Sequence, residues 1–425
     1  MKERTVHSQT GDLEISEEMA AKGAMVKSSS LHVQEIRDFE QLKSLEKEWN
    51  ETLDKSKLPL LYLTHEWMVS WWKCLGKNGK QLFVLVVREG NEIIGIAPFM
   101  LVKERFLGAP VKKIEFISMM KYADSPTNCA ASLDFIIRDR YEQVIETIMS
   151  HLNRYRWHFI RLNPVPENSQ TIKLLAQEAL KHDFEYIKYP VSMNSVIDVD
   201  KSWKDYFLSL SKNFRKRLVN NEQKLQQNIA ITYRCVQSYE EMKEAFSTIL
   251  DIEKRSWKWN AGVSINSAAF GDFYKIFVEE ASKKERISIW MMKFDEKYIA
   301  YDVTAGYKGT LETLKSSYDV AYRKYSPGHL LTLKEFEHFF QNGAQKINLL
   351  WGDFETKKRW NVRLEPHDEI FIYHKNIYAK LLYLLMITFS FYHWQKKAIE
   401  LRNRVARKLH ILLKSSELTR QDQLK

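Results

Sequence analysis

The chain has 425 residues, 44% of them hydrophobic and 13% aromatic, which suffices for two domains of about 100–200 residues each and excludes a disordered chain. The formal charge is +11, but nine Lys/Arg against three Asp/Glu between Gln395 and Lys425 place +6 of it on a C-terminal tail, so an anionic partner is favoured over a nucleic-acid groove. The three cysteines, Cys74, Cys129 and Cys235, form no CxxC pair, which argues against a disulfide framework or metal site and for a reducing, cytoplasmic compartment.

Residues 1–30 mix charged residues with Ser and Thr and lack an apolar run, so they read as a disordered leader and not as a signal peptide. A strand is expected over Leu31–Ile36. Phe39, Leu42, Leu45 and Trp49 recur at helical spacing, and His65–Leu75 is a second helix. Gln81–Arg88 and Glu92–Val102 form a hairpin across Gly90-Asn91. Val111–Ser118 and Ser132–Ile137 are further strands, then come a helix over Tyr141–Leu152, a strand over His158–Leu162 and a helix over Thr171–His182.

A second unit begins near Val191. It has a short strand over Ser195–Val199, a long basic helical region over Ser202–Gln227, and helices over Ser238–Arg255 and Ala268–Lys283. Ile287–Phe294 and Tyr298–Gly306 form a hairpin, Thr310–Asp319 is a strand, Leu330–Asn342 a helix and Lys346–Leu350 a strand. Residues 376–413 are mostly helical. The apolar run Leu381–Tyr392 falls short of the roughly 20 residues a membrane-spanning helix needs. The order of elements repeats, which predicts an α/β (α+β) fold of two similar domains, 31–190 and 191–372, with mostly antiparallel mixed sheets and a basic helical tail over 373–425.

The chemistry concentrates in Ser316–Asn342. A strand ends at Tyr318-Asp319, a basic turn carries Arg323 and Lys324, and Ser326-Pro327-Gly328 opens a helix just before His329. Free N–H groups and the dipole at a helix start favour a phosphate. Pro327 pre-sets the first turn, Gly328 admits close backbone approach, and the two cations add charge-assisted contacts. An ordinary helix start is the competing reading. Asp319 can serve as a base or as a turn carboxylate, and Asp302 is a second candidate base unless strand alternation points it at solvent. Arg215 and Arg217, on the basic helix, either hold a diphosphate or form a solvated face. Trp257, with Trp259, suggests an aromatic loop over a cleft, with core packing as the alternative. No metal-binding spacing, P-loop or dinucleotide fingerprint is present.

Three motifs in order carry a resemblance: Leu210-Ser211 with Arg215, then Tyr318-Asp319 with Ser326-Pro327-Gly328, then Gly352-Asp353 with Lys357 and Trp360. This pattern resembles the CelD/BcsL cellulose-biosynthesis acyltransferases of the GNAT superfamily, which are similar in plan to FemAB transferases. Thr356 stands where that family has Tyr, and the Arg323–His329 loop has a single glycine. The resemblance implies two fused GNAT-like domains, the first degenerate in cofactor binding. It implies acetyl-CoA or another acyl-CoA as donor, held by Arg323, Lys324, Ser326, Gly328 and His329. Lys357 joins Asp319 and Asp302 as a catalytic candidate, for the oxyanion or an acceptor phosphate. Arg215, Arg217, Trp257, Tyr318 and Trp360 would shape the acceptor side. The acceptor it implies is a small or carrier-linked sugar, through an amine or hydroxyl, in envelope or exopolysaccharide assembly. Two other functions remain open: FemAB-like transfer from aminoacyl-tRNA, and a non-catalytic adaptor whose residues 376–425 lie on an anionic membrane.

Overall fold

The computed structural model describes residues 30–106, 108–119, 130–226, 230–260, 264–265, 268–352 and 354–388. In the first half, β1 (His32–Ile36) leads into α1 (Phe39–Ser44), α2 (Glu46–Asp54) and α3 (His65–Leu75). Six strands follow: β2 (Lys80–Leu82), β3 (Val84–Glu89), β4 (Glu92–Ala97), β5 (Phe99–Phe106), β6 (Ala109–Phe116) and β7 (Ile136–Ile137). Then come α4 (Tyr141–Leu152), β8 (Phe159–Pro166), α5 (Gln170–Lys181) and β9 (Glu185–Asp198). The second half holds α6 (Trp203–Ser209), α7 (Lys212–Gln226), β10 (Ile231–Val236), α8 (Tyr239–Lys254), α9 (Trp257–Asn260), α10 (Ala268–Ser282), β11 (Ile287–Phe294), β12 (Lys297–Tyr307) and β13 (Thr310–Tyr318). A 3-10 turn over Val320–Tyr325 precedes α11 (Pro327–Gln341), β14 (Lys346–Trp351), α12 (Glu355–Lys358), β15 (Arg363–Tyr373) and α13 (Ile377–Thr388).

Several boundaries differ from the sequence reading for local reasons. The run Glu92–Val102 is two strands in two sheets, because Pro98 has no N–H to continue a ladder. Only Ile136–Ile137 of the strand expected over Ser132–Ile137 pairs in a sheet. The long basic helix breaks at Leu210, whose backbone is extended (ψ 153). β9 has 14 residues where a short strand was expected, and β10 and β15 were not foreseen. Of the helical region expected over 376–413, Ile377–Thr388 is helix. The remainder, the leader and Cys129 lie outside the described residues.

β1, β3, β4 and β7 make a four-stranded sheet, and the other strands make one 11-stranded sheet in the order β10-β11-β12-β13-β14-β9-β15-β8-β6-β5-β2. The halves therefore share a sheet. They also exchange strands: β9, from the first half, pairs with β14, and β15, from the second, pairs with β8. The boundary expected at 190/191 falls within β9.

The first-half core continues into α8 and α10, where Trp67 packs edge-on to Phe273 and Phe277 at 5.0 and 4.7 Å. Each such buried side chain contributes about 1.5–3 kcal/mol. The opposite face of the second half's sheet is covered by α6, α7 and α11 around Trp360.

Candidate active site

β13 and β14 run parallel but pair only over Thr310–Glu312 with Lys346–Asn348. Beyond that, β13 stays on β12 up to Tyr318↔Ala300, while β14 turns to β9 at Trp351↔Asn194. The two strands part, and a cleft of about 890 Å³ opens between them. At its apex the buried Glu312 accepts from the Tyr62 hydroxyl at 3.2 Å, and burial lifts its carboxyl to about 7. Tyr62, Trp67 and Ala131 give the first half a share of the wall, with Trp257 and Tyr274 of the second half also in the lining.

At one end of the cleft lies the start of α11. Ser326 is its N-cap in a left-handed conformation (φ 54) and makes no side-chain cap, and Pro327 brings no N–H. The His329 and Leu330 N–H groups return to the Ser326 carbonyl at 3.0 and 3.3 Å, which leaves the Gly328 N–H of the first turn to face a ligand. Arg323, Ser326, Gly328 and His329 line the cleft here. His329 packs against Phe214 and Trp360. Burial, with Arg217 and Arg359 nearby, pushes its imidazole down to about 4, so it is a neutral hydrogen-bonding group at physiological pH. Lys324 does not line the cleft: its ammonium sits 4.8 Å from the Tyr325 ring centre.

Asp302, on β12, also lines the cleft. Strand alternation sends Tyr301 and Val303 into the first-half core and Asp302 towards α11. It is not turned to solvent but buried, against the equally buried Glu335. Burial raises both carboxyls, Glu335 the more strongly because Asp302's charge faces it, whereas the Lys258 ammonium draws Asp302 back down. Two carboxyls this close share a proton, and Glu335 is the member that keeps it. Lys258 is fixed in turn by donating to the Ser316 carbonyl.

Lys357 closes the other wall. Gly352 has φ +102, and a Cβ there would lie 2.4 Å from the Phe354 ring, so only glycine lets β14 turn into α12. That turn returns Lys357 Nζ to the end of β14, where it donates to the Leu350 and Trp351 carbonyls at 3.1 and 2.7 Å. Burial lowers its ammonium to about 8.

Of the candidates read from sequence, the fold brings together Asp302, Lys357, Arg323, Ser326, Gly328, His329, Trp257, Tyr318 and Trp360 around one cleft. Arg217 reaches it through His329. Three candidates are placed elsewhere. Asp319 caps the 3-10 turn by accepting from Ala321 N–H at 3.0 Å and is paired with Arg255 at 2.8 Å and Lys297 at 2.9 Å. Those cations hold its carboxyl below the usual range despite burial, so it is a structural cap and a poor base. Arg215 donates to the Leu210 carbonyl at 3.1 Å, at the end of α6, and Lys324 is the third. Glu335, Lys258 and Arg359 were overlooked. Glu335 carried a signal, a carboxylate on the apolar line Leu331-Glu335-Phe339 of one helix face.

The first half repeats the parting strands, and among the described residues the chain lies in the gap they leave. β6 and β8 run parallel only over Lys113–Glu115 with Phe159–Arg161. The chain then fills the gap itself: Ala130 N–H donates to the Ser118 carbonyl and Leu133 N–H to the Pro164 carbonyl, at 3.2 and 2.8 Å. Ala130, Ala131 and Leu133 are buried there.

These features define a mixed α/β protein whose two halves share one sheet, with a cleft in the second half. Residues 212–358 match the sequence model of the acetyltransferase (GNAT) domain family. Among solved structures the chain is similar to FemX, with TM-score 0.56 and 11% identity over 84% of this chain and 99% of that one. It is similar also to the C-terminal domain of a protein described as a lysylphosphatidylglycerol synthetase from Agrobacterium fabrum, with TM-score 0.50 and 10% identity over 81% and 97%. At such identities the likeness is one of fold. No curated protein sequence matches the chain. Among the described residues, no group of three or more His, Cys, Asp or Glu is placed to hold a metal ion, and no helix is long and apolar enough to cross a membrane.

Proposed function

We propose that this chain transfers an acyl group from an acyl-CoA, acetyl-CoA in the simplest case, to an amine or hydroxyl acceptor. One observation carries the reading: a single cleft joins an anion-ready helix start to a buried carboxyl held near neutrality. The donor's pyrophosphate sits at the start of α11 with Arg323 and Arg217. Its thioester lies between β13 and β14. The acceptor enters along Trp257, whose exposed ring suits a sugar face.

The acceptor nitrogen or oxygen attacks the thioester carbon, its proton passes to Asp302, the C–S bond breaks, and the CoA thiolate leaves. Lys357 faces the developing oxyanion or an acceptor phosphate. Glu335 keeps the second proton, so Asp302 is the acceptor of the first. The resemblance to the cellulose-biosynthesis family supports a sugar or nucleotide-sugar acceptor, envelope or exopolysaccharide assembly, and a cytoplasmic site of action.

A second reading takes aminoacyl-tRNA as donor. It is favoured by the cations at the start of α11: Arg217 and Arg359 beside His329, and Arg323 in the cleft lining. Equilibrium binding of acetyl-CoA and of charged tRNA over a salt series separates the two. Saturable acetyl-CoA binding, weakened in Arg323→Ala, is expected. Tight tRNA binding with a steep salt slope and no acetyl-CoA binding would overturn the reading.

A further inference from the structure

α13 is fixed to the body yet turns an apolar face outward. Its start is pinned by Asn376, whose side chain accepts from Ala379 N–H at 2.8 Å and donates to the Trp157 carbonyl at 3.2 Å. One side packs down: Ala379 and Leu382 are buried, Tyr383 and Met386 rest on the cluster of Val111, Phe371 and Tyr373, and Tyr378 meets His158 edge-on at 4.7 Å. On the other side Ile377 is 89% exposed, Leu381 51%, Leu384 55% and Ile387 48%. Spacings of four, three and three set these four in one line along the helix. A surface helix whose outer face is aliphatic has no reason to be so in water alone.

We infer that this face of α13 docks onto an anionic membrane, lying along the boundary between headgroups and acyl chains. The chain that follows decides for lipid. Directly after Thr388 come Phe389, Phe391, Tyr392 and Trp394, residue types that favour the membrane–water boundary. Beyond them Gln395–Lys425 carries a net +6, complementary to anionic headgroups. Lys380, on the exposed side of the helix, reaches headgroups while its stem stays among the aliphatics. An aliphatic line followed by aromatics and then by a basic run matches the layers of a bilayer surface in order.

The test is co-sedimentation of the full-length chain with vesicles of phosphatidylcholine alone or of phosphatidylcholine and phosphatidylglycerol in equal parts. Binding to the anionic vesicles, weak binding to the neutral ones and release by salt are expected. Leu381→Asp/Leu384→Asp, at exposed positions, lowers partitioning by about tenfold or more with an unchanged melting temperature. Lys396→Glu/Lys397→Glu weakens binding to the anionic vesicles and leaves neutral ones unaffected. The inference is overturned if the wild-type chain ignores anionic vesicles or if the double Asp variant binds them equally well. Two further results also overturn it, each in a wild type that binds no vesicles. One is a dimer that the Asp variant dissolves, which makes the face a contact between copies. The other is amide exchange along α13 that rises when 389–425 are removed, which makes the tail its cover.

Discussion

Replacing Asp302 by Asn removes a proton acceptor from the cleft while keeping the size and planarity of the side chain. Glu335 and Lys258 act on the position, and the amide keeps a polar group facing both without a charge. A positioned base contributes about 10²–10⁴-fold, or about 3–5 kcal/mol of barrier, so kcat should fall by that factor while KM for the acyl-CoA stays close to the wild-type value. The wild-type rate should rise with pH as Asp302 releases its proton. Burial places that limb well above the ordinary carboxylate range, and the Asn variant should lack it. Stability moves the other way. Between the unfolded and folded values the native state binds a proton that the unfolded chain has released, so wild-type stability falls as pH rises through that window. The Asn variant escapes this loss, and its melting temperature above neutrality should equal or exceed the wild type's. Steady-state kinetics against a panel of amine and sugar acceptors, with melting curves across pH, measure both. A variant that keeps activity within about threefold, or that keeps the acid limb, refutes the assignment of the base.

Asp319→Asn should behave as a structural lesion. Loss of the cap and of the ion pairs with Arg255 and Lys297 costs about 1–3 kcal/mol at neutral pH, read by denaturant melts, while kcat of the folded fraction holds. Because its folded carboxyl is depressed, that stabilisation is present above the unfolded value of 3.8 and is lost as pH falls through the folded one. Lys357→Met should lower turnover by about ten- to a hundredfold. The wild-type lysine, brought down to about 8 from 10.5, is bound by fewer protons in the native than in the unfolded state over that window, so wild-type stability rises with pH there and the Met variant's should not.

Much of this was legible from residues alone. The helices over Tyr141–Leu152 and His65–Leu75 and the strand over Ile287–Phe294 have the bounds that periodicity predicts, because each carries a single clear period against one core. The start of α11 was legible because Ser-Pro-Gly is local chemistry. β15 was not: Arg363–Tyr373 alternates poorly and carries Pro366, and its strand character comes from two neighbours, β9 and β8, far away in sequence. The two readings of Asp319, base or turn carboxylate, stayed open because a carboxylate at the end of a strand looks alike whether it faces a substrate or Arg255 and Lys297.

Sequence by itself determined the inventory: two runs of similar elements, a phosphate-ready helix start, a basic tail, and the residue types a transfer reaction needs. Tertiary structure decided which of them act together. The parting of β13 from β14 opens a cleft in the second half, while Ala130–Leu133 closes the equivalent gap in the first. Burial within the fold turns Asp302 from one acidic residue among 54 Asp and Glu into a group held near neutrality. The reason is physical: periodicity and capping are set by neighbours a few residues away. Desolvation and charge pairing are set by whatever the fold brings within a few ångströms, here Asp302 and Glu335 from β12 and α11.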